Sequence, residues 1–490
     1  MRRNFIASIL KIDHRIMLVI AALLGIGFFI IVSALTYRVG FPLDDAWIHL
    51  TYARNFALHG EWAFRLGEGS AGSTSPLWTG LLSIGYLLRL APYVWTIFLG
   101  WMLLSITAIR AEQIARRLIT SYRSNIPWVG LFIALAWHLT WSAASGMETL
   151  LHGLIVLVVL GMLMENSRQY MTLGLLTGLS VWVRPDGMTL LGPILLTAFL
   201  QNGSFKSRGS ALLKIFIGFG ILFFFYLLFN LALSGSPMPN TFYAKQAEYA
   251  DFLRSMSITE RLTDYLLPLV ASPFVALIPG FFSWIFKIVR EKNWGALAGL
   301  IWAIGYVGIY FMRLPAYQHG RYIIPVFPVL YLWGMLGMVA YITSAKANQQ
   351  ITLLWRTLTV FLVIAFQWVG ANQNAQDVVF VETQLVETAQ WINENLPADA
   401  ILGVHDIGAI GYFTQNPIID LAGLITPDVV PFIRDEMRLG EYLTESNAGY
   451  LVTFPNWYPR LIVGQTHVFE ARNPLYPFSD RMNVFRLNNK

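Results

Sequence analysis

Apolar runs of about 20 residues recur through the first three quarters of the chain, and this recurrence restricts the fold more than any single motif. A helix of that length rises about 30 Å, enough to cross the hydrocarbon core of a bilayer. The composition agrees: 56% of the 490 residues are hydrophobic and 13% are charged, roughly half the charged share of a soluble domain. The pattern predicts a polytopic α-helical membrane protein with eleven spans, at 16–35, 92–110, 126–144, 149–165, 170–183, 187–200, 211–233, 264–286, 294–312, 322–343 and 351–369. The first run is long for the core of a secretory signal and no A-x-A cleavage site follows it, so it reads as a retained span. The lack of cysteine excludes disulfides, thiolate zinc sites and iron–sulfur clusters. There is no basic tract of the kind that binds nucleic acid and no G-x-x-x-x-G-K-[ST] phosphate loop, so no nucleic-acid partner is expected.

The formal charge of +6 is an orientation signal, because Lys and Arg gather in short cytoplasmic loops. With Arg2, Arg3, Lys11 and Arg15 inside, the inner loops carry Arg116, Arg117 and Arg123, then Arg168, then Lys206, Arg208 and Lys214, then Lys287, Arg290 and Lys292, then Lys346. Counting "PLWTGLLSIGYLLRL" (76–90) as a span would invert every later loop, so it is expected to be a re-entrant or interfacial helix. The outer side then collects "FPLDDAWIHL" (41–50) and "EGSAGSTSPLW" (68–78) in a loop at 36–91. It also collects "SGMET" (145–149), "WVRPDG" (182–187), "SPMPNTFYAKQ" (236–246) and "YQHGRY" (317–322). Composition shifts near 371. The expectation is a transmembrane domain at 1–370 and a small extracytoplasmic α/β domain at 371–490. In the latter, a helix over "FVETQLVETAQWINENLPADA" precedes strands at "ILGVHD", "PIIDLAG", "AGYLVTF" and "MNVFRL".

Paired acids at a membrane boundary need a reason. Asp44 suits an N-cap, with Pro42 keeping the chain extended before it, and the helix dipole favours acids there. Asp45, His49, Tyr52 and His59 follow at spacings of four, three and seven and so share one helix face. Ionisable groups near a bilayer are functional candidates, which makes Asp44 and Asp45 a candidate catalytic pair and His49 a candidate acceptor contact. Arg321 and His319 in "HGRY", and Lys245, stand at outer span ends. Arg and Lys are natural phosphate partners, Arg as a planar fork and Lys as a point charge. Arg184 either pairs with Asp186 or joins that phosphate site. Glu148 is a helix-start acid or an acceptor contact, Trp47 and Trp78 can stack on a sugar face, and His405 with Asp406, just after a predicted strand, are site residues or, on the favoured reading, a structural pair. The oxygen ligands here can hold a divalent cation, although no spacing demands one.

The form "DDAWIHLTYARNFALHGEW", followed in order by "GSAGSTSPLW", "SGMET", "RPDG", "PNTFYAK" and "GRYIIPVFP", resembles the GT-C superfamily of membrane glycosyltransferases, nearest its bacterial arabinofuranosyltransferase-like branch. The likeness covers roughly residues 16–330. The tail "VHDIGAIGYF…PIIDLAGLI" resembles the extracytoplasmic domain of that branch less distinctively. The resemblance implies a cell-envelope enzyme of the bacterial plasma membrane. It would be an inverting transferase that moves a sugar from a polyprenyl-phosphate donor to a glycan, lipid or protein acceptor on the outer face. On this reading Asp44 is the base, as the resemblance implies for the first acid, and Asp45 orients the acceptor or a cation. The donor phosphate is expected on Arg184, Lys245, His319 and Arg321, and the acceptor or sugar on His49, Trp78 and Glu148. The leaving group is a lipid phosphate, so the sequence requires no cofactor. The rival reading is a transporter or flippase of lipid-linked sugars. It would place acids near the bilayer midplane, where these spans have almost none.

Overall fold

Every apolar run becomes helical, the conformation in which a single segment in lipid satisfies its own backbone groups. The computed structural model describes residues 13–472, 474 and 480–488, apart from the Asp251 side chain, so Arg2, Arg3 and Lys11 lie outside the described residues. The first half holds α1 (His14–Thr36), α2 (Asp45–His59), a short hairpin of β1 (Ala63–Arg65) and β2 (Glu68–Gly69), α3 (Pro76–Leu87), α4 (Pro92–Leu118), α5 (Trp128–Ala134), α6 (Trp137–Ala144), α7 (Thr149–Met164), α8 (Tyr170–Val183), α9 (Leu191–Gln201) and α10 (Phe205–Ser234). Then come α11 (Asn240–Ser255), α12 (Ile258–Val270), α13 (Ile278–Arg290), α14 (Trp294–Arg313), α15 (Phe327–Ile342), α16 (Gln349–Phe380) and α17 (Glu387–Asn395). The tail adds β3 (Leu402–Val404), α18 (Ile407–Phe413), β4 (Ile418–Asp420), α19 (Glu436–Glu445), β5 (Tyr450–Thr453), β6 (Thr466–Glu470) and β7 (Asn483–Arg486).

The chain is a multi-pass membrane protein. Among the described residues, seven helical runs are long and apolar enough to cross a membrane, and α7 and α8 are shorter apolar helices. The run Gln318–Ile342 is 89% buried and forms the central pillar, whereas Phe205–Ser234 is 22% buried and turns most of its surface outward. Close crossings rest on glycine. A Cβ on Gly174 of α8 would lie 2.3 Å from the Ile215 carbonyl of α10, and one on Gly337 of α15 would lie 1.8 Å from that of Gly280 in α13.

Two expected single spans are broken. The run 126–144 splits into α5 and α6, and the run 264–286 splits at Ala271. The freed carbonyls are answered from neighbouring helices: Gln367 donates to Leu135 at 2.7 Å and the Trp137 indole to Ala271 at 2.9 Å. At 12 residues, α3 rises only about 18 Å, too little to cross.

Helix α16 runs without a break through residues 370 and 371, into a π turn at Val381–Val386 and on into α17. The π turn is buried and stitches three parts together. Glu382 meets Arg38 Nε at 2.6 Å and accepts from the Tyr93 hydroxyl at 3.0 Å, while Gln384 bonds the tail backbone at Arg472 and Met482. The tail sheet has the order β4-β3-β5-β7-β6, parallel across the first three strands and antiparallel beyond. Trp47 pins the 36–91 loop to the tail. Its ring lies among those of Phe41, Tyr93, Tyr412 and Phe413, at centroid distances of 4.7–5.4 Å.

Candidate active site

Successive helical residues point about 100° apart, and this divides the acid pair. Asp44 holds the N-cap position of α2 but makes no side-chain cap there. Its two oxygens instead accept from the backbone N–H groups of Gly408 and Ala409, each at 2.8 Å. These are the second and third residues of α18, the donors that an N-cap side chain normally satisfies. The expected cap is therefore made to a tail helix 364 residues away. Gly408 is required at that contact, since a Cβ would lie 2.2 Å from the Asp44 carbonyl oxygen. Burial and the neighbouring Asp406 push the Asp44 carboxyl up to about 8, against the two N–H donors.

Asp45 turns the other way, into a cavity of about 270 Å³ also lined by His49, Glu148, Arg184, Lys245 and Arg321. Its Oδ2 meets Arg321 Nη2 at 2.8 Å and Lys245 Nζ at 3.5 Å. Burial alone would raise the Asp45 carboxyl, but Lys245 and Arg321 outweigh it and hold the group well below the usual carboxylate range. Arg321 is 8% exposed. Its Nη2 also donates to the Tyr322 hydroxyl at 3.1 Å, and its Nη1 is buried with no hydrogen-bond partner. Three left-handed residues aim it there: Gln318, His319 and Gly320, with φ of 52°, 59° and 73°. This backbone is costly for residues with a side chain.

The opposite wall of the cavity is a closed network. Glu148 accepts from Arg184 Nη1 at 2.7 Å and faces His49 Nε2 at 3.3 Å. Arg184 also gives Nε to Asp186 at 3.2 Å and Nη2 to Tyr310 at 3.1 Å. Tyr306 and Tyr310 complete the set by donating to Asp186 at 2.5 and 2.6 Å. Burial favours the neutral acid at Glu148, yet the His49 hydrogen bond and the Arg184 charge bring it down to about 2. The other His49 nitrogen is shared by Ser73 and Thr79 at 3.1 and 3.2 Å.

Four expected site residues stand apart from this cavity. Trp78 is 1% exposed and donates to the Gly146 carbonyl at 2.8 Å, leaving no ring face for a sugar. Trp47 is likewise enclosed. His319 bonds Asp377 at 2.8 Å beneath the rings of Trp137 and Trp141. Asp44 is occupied by α18. The expected helix face divides as well, since Tyr52 bonds Ser70 and Gly72 behind the cavity and His59 is exposed. His405 pairs with Glu248 at 3.2 Å and Tyr458 at 2.7 Å rather than with Asp406. Glu248 was missed by motif reading, although it lies one turn beyond Lys245 on the same face of α11. Tyr306 and Tyr310, hydroxyls spaced i, i+4 inside an apolar span, were another signal. Among the described residues no group of three or more His, Asp or Glu is arranged to hold a metal ion. Asp45 already serves two cations, so these side chains do not fit a divalent ion.

This architecture matches known structures over nearly its whole length. ArnT from Cupriavidus metallidurans, solved bound to undecaprenyl phosphate, superposes with a TM-score of 0.57 at 15% identity, over 94% of this chain and 97% of that one. The apo oligosaccharyltransferase of Archaeoglobus fulgidus gives 0.61 at 13% identity, over 96% and 76%. The arabinofuranosyltransferase AftD from Mycobacteria gives 0.54 at 14% identity, over 98% of this chain but only 40% of that longer one. The chain has the GT-C fold. Residues of the loop at 36–91, among them Asp45, His49 and Gly72, and Leu424 of the tail line the cavity. A family model described as a domain of unknown function, DUF8728, matches residues 367–485, the end of α16 and the tail. No curated protein matches the sequence.

Proposed function

We propose that the protein is an inverting glycosyltransferase that carries a sugar from a polyprenyl-phosphate donor to a hydroxyl on a glycan, lipid or protein acceptor, with Asp45 at the reacting centre. One observation carries this reading: a buried arginine that lines the cavity shares Asp45 with a lysine and keeps its Nη1 without a hydrogen-bond partner. The fold shared with ArnT, solved with undecaprenyl phosphate, supports a lipid phosphate as the ligand of that arginine.

Before the donor binds, Lys245 and Arg321 keep Asp45 ionised but weakly basic. A donor phosphate competes for the same two cations and satisfies Arg321 Nη1, which loosens their hold on the carboxylate. Asp45 then gains affinity for a proton. It accepts the proton of the acceptor hydroxyl as that oxygen bonds to the anomeric carbon from the side opposite the phosphate. The bond from carbon to phosphate oxygen breaks, and the charge on the leaving phosphate meets Arg321 and Lys245. The base role expected of Asp44 passes to Asp45 because both Asp44 oxygens are held by backbone N–H groups.

The cavity face is proposed to be extracytoplasmic, from the charge of the loops. In this cysteine-free chain, single cysteines at the exposed positions Leu66 and Asn447 should both be labelled from outside intact cells; labelling only after lysis reverses the orientation. For the reaction, purified protein is supplied with a short-chain polyprenyl-phosphate sugar and acceptor. Arg321→Lys should lower turnover, because a point charge replaces a planar fork. Unchanged turnover and donor requirement in both Arg321→Lys and Arg321→Ala would overturn the reading.

A further inference from the structure

We propose a second ligand site, at the end of the membrane domain opposite the cavity, that binds an anionic phospholipid of the surrounding bilayer. It is a groove of about 460 Å³ walled by α5, α15 and α16. Helix α4 fixes its place. Tyr93, near the start of α4, packs on Phe41 and Trp47 beside the candidate active site, whereas Tyr122, just beyond its end, lines the groove. The 27 residues of α4 separate the two by about 40 Å.

The groove is graded in polarity along its length. One end is made by Ser121, Arg123, Thr343 and Arg356, and the Ser121 and Thr343 hydroxyls bond across it at 2.9 Å. The other end is apolar, closed by residues such as Leu135 and Ile364. From Arg356 to Ile364 along α16 is about 12 Å. Arg123 and Arg356 are both exposed and neither has an ion pair or hydrogen bond among the described residues. Trp128, 40% exposed on the same wall, suits the depth at which headgroups meet hydrocarbon.

Two unpaired guanidinium groups above an apolar slot match one chemical class, an anion joined to a hydrocarbon chain. A free anion would leave the slot without a partner, and a neutral lipid would leave the arginines so. Basic pockets between membrane helices recognise anionic headgroups in this way. The occupant is assigned as a phospholipid with its phosphate between Arg123 and Arg356 and one acyl chain against α16. This assignment is independent of the proposed reaction.

Native mass spectrometry of the full-length protein, titrated with phosphatidylglycerol or phosphatidylcholine of equal chain length, tests it. Wild type should retain phosphatidylglycerol in preference. Arg123→Ala with Arg356→Ala should weaken phosphatidylglycerol roughly 10- to 30-fold, at about one headgroup attraction per charge, and leave phosphatidylcholine unchanged. Val360→Trp fills the slot from an exposed position and should reduce both lipids with the arginines intact. Excess glycerol phosphate should not displace the lipid. Equal retention of the two lipids by wild type, undiminished phosphatidylglycerol in the double variant, or displacement by glycerol phosphate would each overturn the site.

Discussion

Two buried arginines face the same cavity and differ in what is left over. Arg184 spends all three of its nitrogens on protein, on Glu148, Asp186 and Tyr310. Arg321 meets Asp45 and Tyr322 through Nη2 and keeps Nη1 unpaired. Burying a donor without a partner is costly, and this one belongs to a side chain that lines the cavity. On sequence alone Arg321 is expected at the donor phosphate, and Arg184 either at that site or in a local pair with Asp186. On the proposed reading Arg184 is architectural and Arg321 binds the donor phosphate.

Substitutions can break this contrast. The largest expected effect is on Arg321: changing it to Ala should cut transfer by roughly 10²–10³-fold, the size of a lost transition-state donor, with a small change in thermal stability. Arg184→Ala should show the reverse, a loss of about 3–5 kcal/mol in stability because Glu148 and Asp186 are left as poorly compensated buried charges. Thermal unfolding in detergent measured alongside turnover separates the two. Equal losses in both assays for both variants would dissolve the distinction.

The acid pair sharpens the contrast at a second level. Gly408→Ala drives a Cβ into Asp44 and should loosen α18 from the loop, at a cost of about 1–3 kcal/mol. Faster hydrogen exchange over 407–413, with Asp45 still able to support residual transfer, is the expected signature. Exchange at the wild-type rate would show that Asp44 does not hold this docking.

The smallest effect is one of pH. Burial disfavours the charged form of His405, but the hydrogen bond and charge of Glu248 win and raise its pKa above 6.5. The same partnership outweighs burial at Glu248 and lowers it below 4.5. A raised histidine stabilises below its ordinary value and loses that contribution as pH climbs through the raised one. A lowered glutamate does so above its ordinary value and loses it as pH falls. Contact between α11 and the tail should therefore be firmest between about pH 4.5 and 6.5, and exchange in α11 should quicken above that interval. His405→Gln should flatten the profile.

The membrane architecture was legible because apolar runs of span length have few folded alternatives, and the expected tail strands appear because each alternates or clusters β-branched residues. Strand β6 and the β1–β2 hairpin escaped because their short, polar-mixed segments carry no clear period. Breaks such as the one at Leu135 depend on a partner, Gln367, more than 200 residues away. The residues lining the cavity were legible as types at span ends. Their partners were not: the 100° step between Asp44 and Asp45 sends one acid to a distant helix, and nothing local reveals that α18 needs a cap. His319 and Trp78 carried the right chemistry, but left-handed backbone and burial turned them elsewhere.

The central claim is that Asp45 and the donor phosphate share Lys245 and Arg321. Equilibrium binding of a short-chain polyprenyl phosphate to wild type and to Asp45→Asn tests it most directly, with transfer assayed on the same samples. Removing the competing carboxylate should tighten phosphate binding by roughly 10-fold, the scale of one charged hydrogen bond, while transfer falls by roughly 10²–10⁴-fold through loss of the base. Weaker phosphate binding in Asp45→Asn would contradict the account, because it would mean that Asp45 helps hold the donor rather than competing with it.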